Sequence, residues 1–411
     1  MAQTKSVCTA CSCLCDDIEI HSEGDIITRI ENACLKGASL FIASGKPERR
    51  ARCMIDRREV GVEEAVNRAS QLLRQAKNPL IFGLDNSTLE AQEEGIKLAR
   101  SLGATIDDCS SFCQGVMVES ILSGHMSSCS LAEVNDADLL IYWGANPYHS
   151  HPRHLSKFSY YSHDKYHEAG WRPDVMLTCI EVRDTETTSL CRPAFKIAPG
   201  GDADFIRDVL TVLKDQSGRE DAKTLVELIQ KSRFCVIFAG LGLTYALDGE
   251  ISLFCEMVQQ VTSGGTRVAV IPMVGHFNMR GFNHSLYNET GFVNKVSFAD
   301  GTSHHHEFSL LEQLRNHAVD CVLIAGADPL SSLPHSLVKN LETVPIISMD
   351  PFSTPTTMAS QVVFGVAVSG PETGGKALRM DGEEIFLGQG RETERPSDKE
   401  ILTLLLNEVE R

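Results

Sequence analysis

Nowhere does the sequence carry an apolar run approaching the roughly 18 to 20 residues that a membrane-spanning helix needs. The start, "MAQTKSVC", lacks the apolar core of a secretory leader, so the expected setting is cytoplasmic, with no membrane partner. Aromatic residues are scarce at 6%, yet apolar residues reach 42% of 411, which is ordinary for a globular chain and does not indicate disorder. Basic residues are outnumbered, 38 Lys and Arg against 55 Asp and Glu. The net charge of −17 repels phosphate backbones and anionic lipid, so nucleic acid is not an expected partner. Missing too are G-x-G-x-x-G and G-x-x-x-x-G-K-[ST]; "GLGLT" at 240–244 fits neither, so classical NAD or ATP binding is not expected.

Cysteine, by contrast, is plentiful: fourteen residues, in a large chain whose expected compartment keeps thiols reduced. Clustered thiols then read as metal ligands, whereas Cys179, Cys235 and Cys321, in apolar strands, read as small core residues. Cys8, Cys11, Cys15 and Cys34 make C-x2-C-x3-C-x18-C. Such short spacings let a tight loop wrap three corners of a 4Fe-4S cubane, and the distant fourth cysteine folds the intervening segment back as a hairpin turning at Glu23-Gly24. Zinc is the alternative, although it usually shows two separated C-x2-C knuckles; reactive or structural cysteines are another. Cys13 is left over, either a non-ligand or a substitute for Cys11 or Cys15. Lys36 is either a plain surface lysine or a cationic bridge from the cluster to a second redox centre.

From residue 61 helices and strands alternate. "EEAVNRASQLLRQA" puts Val66, Ala69, Leu72, Leu73 and Ala76 on one helical face, and Asn78-Pro79 ends it before the apolar run "LIFG". Further continuous apolar runs predict parallel sheets covered on both faces. Four strands end in "WGANP", "AGLGLT", "AGADP" and "MDP". Loops at the carboxyl ends of parallel strands expose backbone N–H groups to phosphates, although turn-making alone also favours these residues. The expected domains are a cluster unit at 1–60, a first lobe formed by 61–149 with 321–411, and a second lobe at 150–320. The histidines of "SHHHEF" at 303–308 read as solvent-facing, with a metal site as the alternative.

The cluster motif, the α/β body and the strand-end loops together resemble the molybdopterin oxidoreductases. "GANPYHSHPRH" and "RMDG" narrow the resemblance to the B-subunit family of the formylmethanofuran dehydrogenases, over nearly the whole length. It implies an α/β fold in which a small N-terminal 4Fe-4S domain precedes two Rossmann-like lobes with mostly parallel sheets. It also implies tungsten or molybdenum held by two molybdopterin guanine dinucleotides, with Cys113 of "SSFCQG" as the soft thiolate ligand. Dinucleotide contacts fall on Asn146, Gly240, Gly242, Thr244 and Asp328, with Arg183 and Thr185 of "EVRDTETT" at the guanine end or its phosphate. His151 and Arg153, with His149 and His154, either line the pterin or an anion path or hydrogen-bond across the domain junction.

The implied activity is reversible reduction of carbon dioxide to formate, which passes to another subunit for methanofuran formylation. Implied partners are the other subunits of that complex: a β-barrel subunit completing the pterin site, a formyl-transferring subunit and ferredoxin-like electron donors. Two departures stand out. Relatives carry histidine directly after the metal-bound cysteine, where this chain has Gln114, and arginine before "GH", where it has Val274. Gln cannot titrate and Val neither donates nor accepts, so His276 and Arg280 are the expected substitutes near the reacting carbon. A non-redox scaffold subunit of a related formyltransferase/hydrolase complex, or an electron-carrying adaptor without pterin, are the alternatives.

Overall fold

The computed structural model describes residues 2–23, 26–161 and 172–411. The chain forms two compact units, one of 1–111, 276–379 and 384–411, the other of 112–275 and 380–383. In chain order, β1 (Ala2–Ser6), β2 (Ile18–Glu23) and β3 (Ile26–Glu31) make an antiparallel sheet. The hairpin expected between the third and fourth clustered cysteines is therefore present; its turn residue Gly24 lies outside the described residues. Next come β4 (Met54–Ile55), β5 (Arg58–Glu59), β6 (Pro79–Gly83) and β7 (Thr105–Asp107). The second unit holds β8 (Leu139–Trp143), β9 (Met176–Glu181), β10 (Ala194–Lys196), β11 (Phe234–Ala239) and β12 (Arg267–Pro272). The chain returns to the first unit with β13 (Val296–Ser297), β14 (Ser303–His304), β15 (Cys321–Ala325), β16 (Ile346–Asp350), β17 (Val362–Gly365), β18 (Gly375–Leu378) and β19 (Glu384–Leu387).

The first unit is built on a nine-stranded sheet, β14-β13-β7-β6-β15-β16-β17-β4-β5, whose central five strands are parallel. Strands buried on both faces need apolar side chains throughout, which is why β6 and β15 read as unbroken apolar runs. The helix Val62–Gln75 buries Ala65, Val66, Ala69, Leu72 and Leu73 against this sheet, the face read from its 3.6-residue period. Helix Leu89–Leu102 starts at Thr88, whose hydroxyl accepts from Ala91 N–H, and stops at left-handed Gly103. Helix Asp398–Val409 opens with a Ser397/Glu400 capping box and buries Ile401, Leu402 and Leu405.

Residues 1–60 belong to this unit and are not a separate body. Val7 and Leu14 pack with Phe277, Ala377 and Leu387, and Thr9 Oγ1 donates to Ser369 O at 2.7 Å. Arg50 is buried here; its guanidinium donates to both carboxylate oxygens of Glu372, at 2.6 and 2.7 Å.

The second unit is a five-stranded, wholly parallel sheet in the order β10-β9-β8-β11-β12. Trp143 fills its core edge-on to Phe205 and Phe254 and donates from Nε1 to buried Asp202 at 2.7 Å. Two boundaries differ from expectation. β8 was expected in the first lobe but pairs with β9 and β11, and 276–320 was expected in the second lobe but carries β13, which pairs with β7. The reason is physical: a strand apolar on both faces fits the middle of either sheet, so its own residues do not name its neighbours. Cys179, Cys235 and Cys321 are buried in β9, β11 and β15, as their apolar neighbours suggest.

At the carboxyl end of β16, burial pushes the Asp350 carboxyl up to about 7, against the Phe352 N–H it accepts, while Asp398 and Asp328 push the same way. A carboxyl raised above its unfolded value stabilises the fold fully below about pH 4 and loses that contribution as pH rises through about 7. Asp350→Asn, which keeps an oxygen for Phe352, should therefore flatten the decline of unfolding free energy between those values. Denaturant titrations at several pH values read that slope; an unchanged slope would show that Asp350 does not titrate there.

Candidate functional sites

The N-terminal loop brings its cysteines together. Cys8 N–H donates to Cys15 O at 2.8 Å and Leu14 N–H to Cys11 O at 3.2 Å, closing a tight loop that buries Cys8, Cys11, Cys13 and Cys15. Cys34 caps helix Leu35–Ser44, its Sγ accepting from Gly37 N–H at 3.4 Å. A Cβ on Gly37 would stand 2.8 Å from Cys8 Sγ and 3.9 Å from Cys34 Sγ, so a glycine is needed where the two thiols converge. Burial pushes the Cys8 thiol up to about 12; a hydrogen bond with the Ala10 backbone opposes this, and charge on Cys11, Cys15 and Cys34 adds to it. Cys11 goes the other way, to about 7, because the Cys13 thiol donates to it and Lys36 lies near. Cys11 and Cys13 thus share a hydrogen bond between their sulfurs.

A second group lies at the carboxyl ends of the first unit's strands. After Gly83, in the left-handed region with its Cα against Ala325 O, the chain turns through Asp85 and Asn86. Asp85 O accepts from Asn278 N–H at 3.0 Å and Asn86 Oδ1 from Phe277 N–H at 3.4 Å, fixing the 276–278 turn. His276 Nδ1 lies 2.6 Å from Asp85 Oδ2. The Asp85 carboxylate raises the imidazole above its ordinary value, against burial and the charge of Lys36. Lys36, exposed on its helix, therefore acts electrostatically on both Cys11 and His276. Arg280 is buried in the first turn of helix Met279–Thr290. Asp328 accepts from Thr356 N–H and Oγ1 on one oxygen and from Ser331 Oγ on the other.

The second unit holds the other expected residues. Cys113 is half-buried, at the end of the short 3-10 turn Cys109–Phe112. Gln114 is fully buried: Nε2 donates to Ala239 O at 3.1 Å and Oε1 accepts from Thr244 Oγ1 at 3.0 Å. Tyr245 Oη donates to Phe112 O at 2.7 Å, so the cysteine loop is tied to the loop after β11. Gly144 and Gly240 make the two strand-end loops cross: a Cβ on Gly240 would stand 2.0 Å from Gly144 O, and one on Gly144 2.3 Å from Leu243 N. Beside them is a cavity of about 320 Å³, lined by Gly144, Glu181, Val182, Asp202, Gly242 and Tyr245 among others.

Asn146 Oδ1 accepts from Thr187 Oγ1 at 2.6 Å. Thr185 caps helix Glu186–Leu190, and Arg183 is exposed in the loop before it. Buried His151 lies 2.8 Å from Val274 O through Nε2 and 2.8 Å from Ser150 Oγ through Nδ1, both partners within the second unit. Arg153 caps the short helix His154–Lys157. His154 is buried edge-on to Phe238 and Tyr142, and burial lowers it to about 3. Asp85 and Cys109 did not emerge from the sequence; "GLDNS" reads as an ordinary turn, and the signal that was available is an acidic residue following a strand-end glycine.

No family model matches the chain. Among curated proteins it is 30% identical, over 98% of its length and 97% of the relative, to the B-subunit of the tungsten-containing formylmethanofuran dehydrogenase 2 of Methanocaldococcus jannaschii. It is 27% identical, over 98% of both, to the protein of the same name from Methanococcus maripaludis. Among solved structures it resembles, with a TM-score of 0.72 at 18% identity, a chain of the formyltransferase/hydrolase complex (FhcABCD) of Methylorubrum extorquens in complex with methylofuran, covering 87% of this chain and 98% of that one. Similarity over nearly the full length of both curated relatives makes the chain a member of the B-subunit family of the formylmethanofuran dehydrogenases.

Proposed function

We propose that this chain is the catalytic redox subunit of a formylmethanofuran dehydrogenase that interconverts carbon dioxide and formate. The observation that carries this reading is the convergence of four thiols at Cys8, Cys11, Cys15 and Cys34, the first three of them buried. Thiolates packed away from water repel one another, and a positively charged inorganic core among them relieves that cost. A zinc tetrathiolate, with Zn–S near 2.3 Å, brings its sulfurs to about 3.8 Å apart. A 4Fe-4S cluster takes one thiolate at each iron corner of a wider cubane, and the tight loop of Cys8, Cys11 and Cys15 with the distant Cys34 offers that number of donors.

Cys113 is the thiolate in this reading for a tungsten or molybdenum ion held by two pterin guanine dinucleotides. When bound, that centre supplies the two-electron chemistry by which carbon dioxide and one proton become formate. The chain's own tasks are positional. Gln114 and Tyr245 hold the cysteine loop, the crossing glycines let backbone approach a pyrophosphate, and Glu181 and Asp202 give the adjoining cavity carboxylate acceptors for a base. Lys36 sets a cation between the cysteine loop and His276. Formate leaves for another subunit, where it meets the amine of methanofuran; a β-barrel subunit and ferredoxin-like donors complete the assembly.

A non-redox scaffold role is the second reading, favoured by the side chains at two positions. Gln114 spends both amide ends on Ala239 and Thr244, and Val274 meets His151 through its backbone carbonyl, its side chain having no donor or acceptor. Formate-dependent reduction of a viologen dye by the purified complex separates the two: turnover is expected here, and its absence from metal-replete protein favours the scaffold. Cys13→Ala gives a finer check. Losing a donor to the Cys11 sulfur should move the cluster's reduction potential to a more negative value. A redox titration that finds the potential unmoved removes that role from Cys13.

A further inference from the structure

We propose that Asp85, Cys109 and His276 form a binding site for a single divalent transition ion of the zinc and cobalt class, distinct from the four-cysteine loop. One ligand atom from each of the three lies within 4.8 Å of the others. They come from three elements of the first unit: the turn after β6, the start of the 3-10 turn after β7, and the turn before helix Met279–Thr290. Hydrogen bonds from Asn278 N–H to Asp85 O and from Phe277 N–H to Asn86 Oδ1 hold two of those elements together, so the donors are gathered before any ion arrives.

The second observation is unmet hydrogen-bonding capacity. Asp85 is fully buried, and its Oδ1 has no hydrogen-bond partner among the described residues. Asp108, also fully buried and next to Cys109, leaves its Oδ2 in the same condition. With Asp107 these make three buried carboxyl groups; burial raises Asp107 and Asp108 above the ordinary carboxylate range, the charges of Asp85 and Asp107 raise Asp108 further, and Lys36 acts on His276 and Lys295 on Asp107. A buried carboxylate without a partner is costly, and a cation is what such a place lacks.

The donor set selects the ion. One thiolate, one imidazole and one carboxylate suit a borderline ion such as Zn²⁺ or Co²⁺, whereas Mg²⁺ and Ca²⁺ prefer oxygen alone. The thiolate and the carboxylate carry two negative charges, which the ion neutralises as Cys109 gives up its thiol proton to solvent. Three protein ligands leave a tetrahedral ion one position for water.

The test uses the anaerobically purified complex with Co²⁺ as the probe. Dialysis should find one Co²⁺ per chain, with a thiolate-to-cobalt charge-transfer band in the difference spectrum. Cys109→Ser should remove the band, and both it and Asp85→Asn should weaken Co²⁺ binding on the order of 100-fold. His306→Ala, in the exposed His305, His306 and Glu307 group, should change neither. Cobalt X-ray absorption on the unmutated complex needs no variant and should show one sulfur with nitrogen and oxygen neighbours. Several sulfurs, or none, would overturn the proposal, as would a band that survives Cys109→Ser or cobalt that is lost with His306→Ala.

Discussion

Replacing Cys113 by alanine should reduce formate-dependent dye reduction to background while the low-temperature paramagnetic signal of the N-terminal cluster persists. Alanine offers no donor atom, so position 113 could no longer hold a soft, sulfur-rich ion. The loop itself should keep its shape, because its anchors are the Gln114 hydrogen bonds to Ala239 O and Thr244 Oγ1 and the Tyr245 hydroxyl on Phe112 O. The four clustered cysteines belong to the other compact unit, so their signal is an independent readout of folded protein. Turnover that survives the substitution would take Cys113 out of the chemistry.

Glu372→Ala should lower the unfolding free energy by about 3–5 kcal/mol, the range found when one partner of a buried ion pair is removed. Its carboxylate is almost wholly buried between Arg50 and Arg391. Arg50 also donates to Ser44 O, Val366 O and Pro351 O at 2.9 Å each, so it fastens residues 44–50 to the strands behind them. The variant leaves two guanidinium groups without the anion. Arg50→Met with Glu372→Leu should cost less than Glu372→Ala alone, because no buried charge is then uncompensated.

The acid dependence follows from the same pair. Burial alone would raise the Glu372 carboxyl, but hydrogen bonds from Arg50 and Arg391 outweigh it and hold it below its ordinary value. A depressed carboxyl contributes stability above its unfolded value near 4.5 and loses it as pH falls through the folded one. The deficit of Glu372→Ala should therefore shrink in acid. Guanidinium titrations at neutral and low pH measure both effects, and a deficit that stays constant through acid would contradict the ion-pair assignment.

Much of the fold is legible in the residues themselves. Helix Val62–Gln75 shows its buried face in the spacing of Val66, Ala69, Leu72 and Leu73, and the cysteine spacing shows a loop closed by a distant fourth thiol. Sheet membership is not legible, since β8 and β6 are equally apolar on both faces and differ only in what the rest of the chain places beside them. That is why the units divide near 111 and 275 and not near 150 and 320. At the sites, residue type singled out Cys8, Cys11, Cys15, Cys34, His276 and Gly240 as candidates, while Gly144, which Gly240 crosses, was not among them. It did not reach Asp85, whose partners lie nearly two hundred residues away on the 276–278 turn, nor the buried hydrogen bonds of Gln114, which follow from folding alone.

The central claim is that the amino-terminal thiols hold iron and sulfide that serve a heavier ion at Cys113. Elemental analysis of the purified complex, joined to a paramagnetic resonance spectrum of the dithionite-reduced protein, tests it most directly. About four iron atoms per chain, beyond those of partner subunits, with tungsten or molybdenum and a reduced-cluster signal, are expected. Zinc in place of iron at those thiols, or iron without either heavy metal, would contradict it.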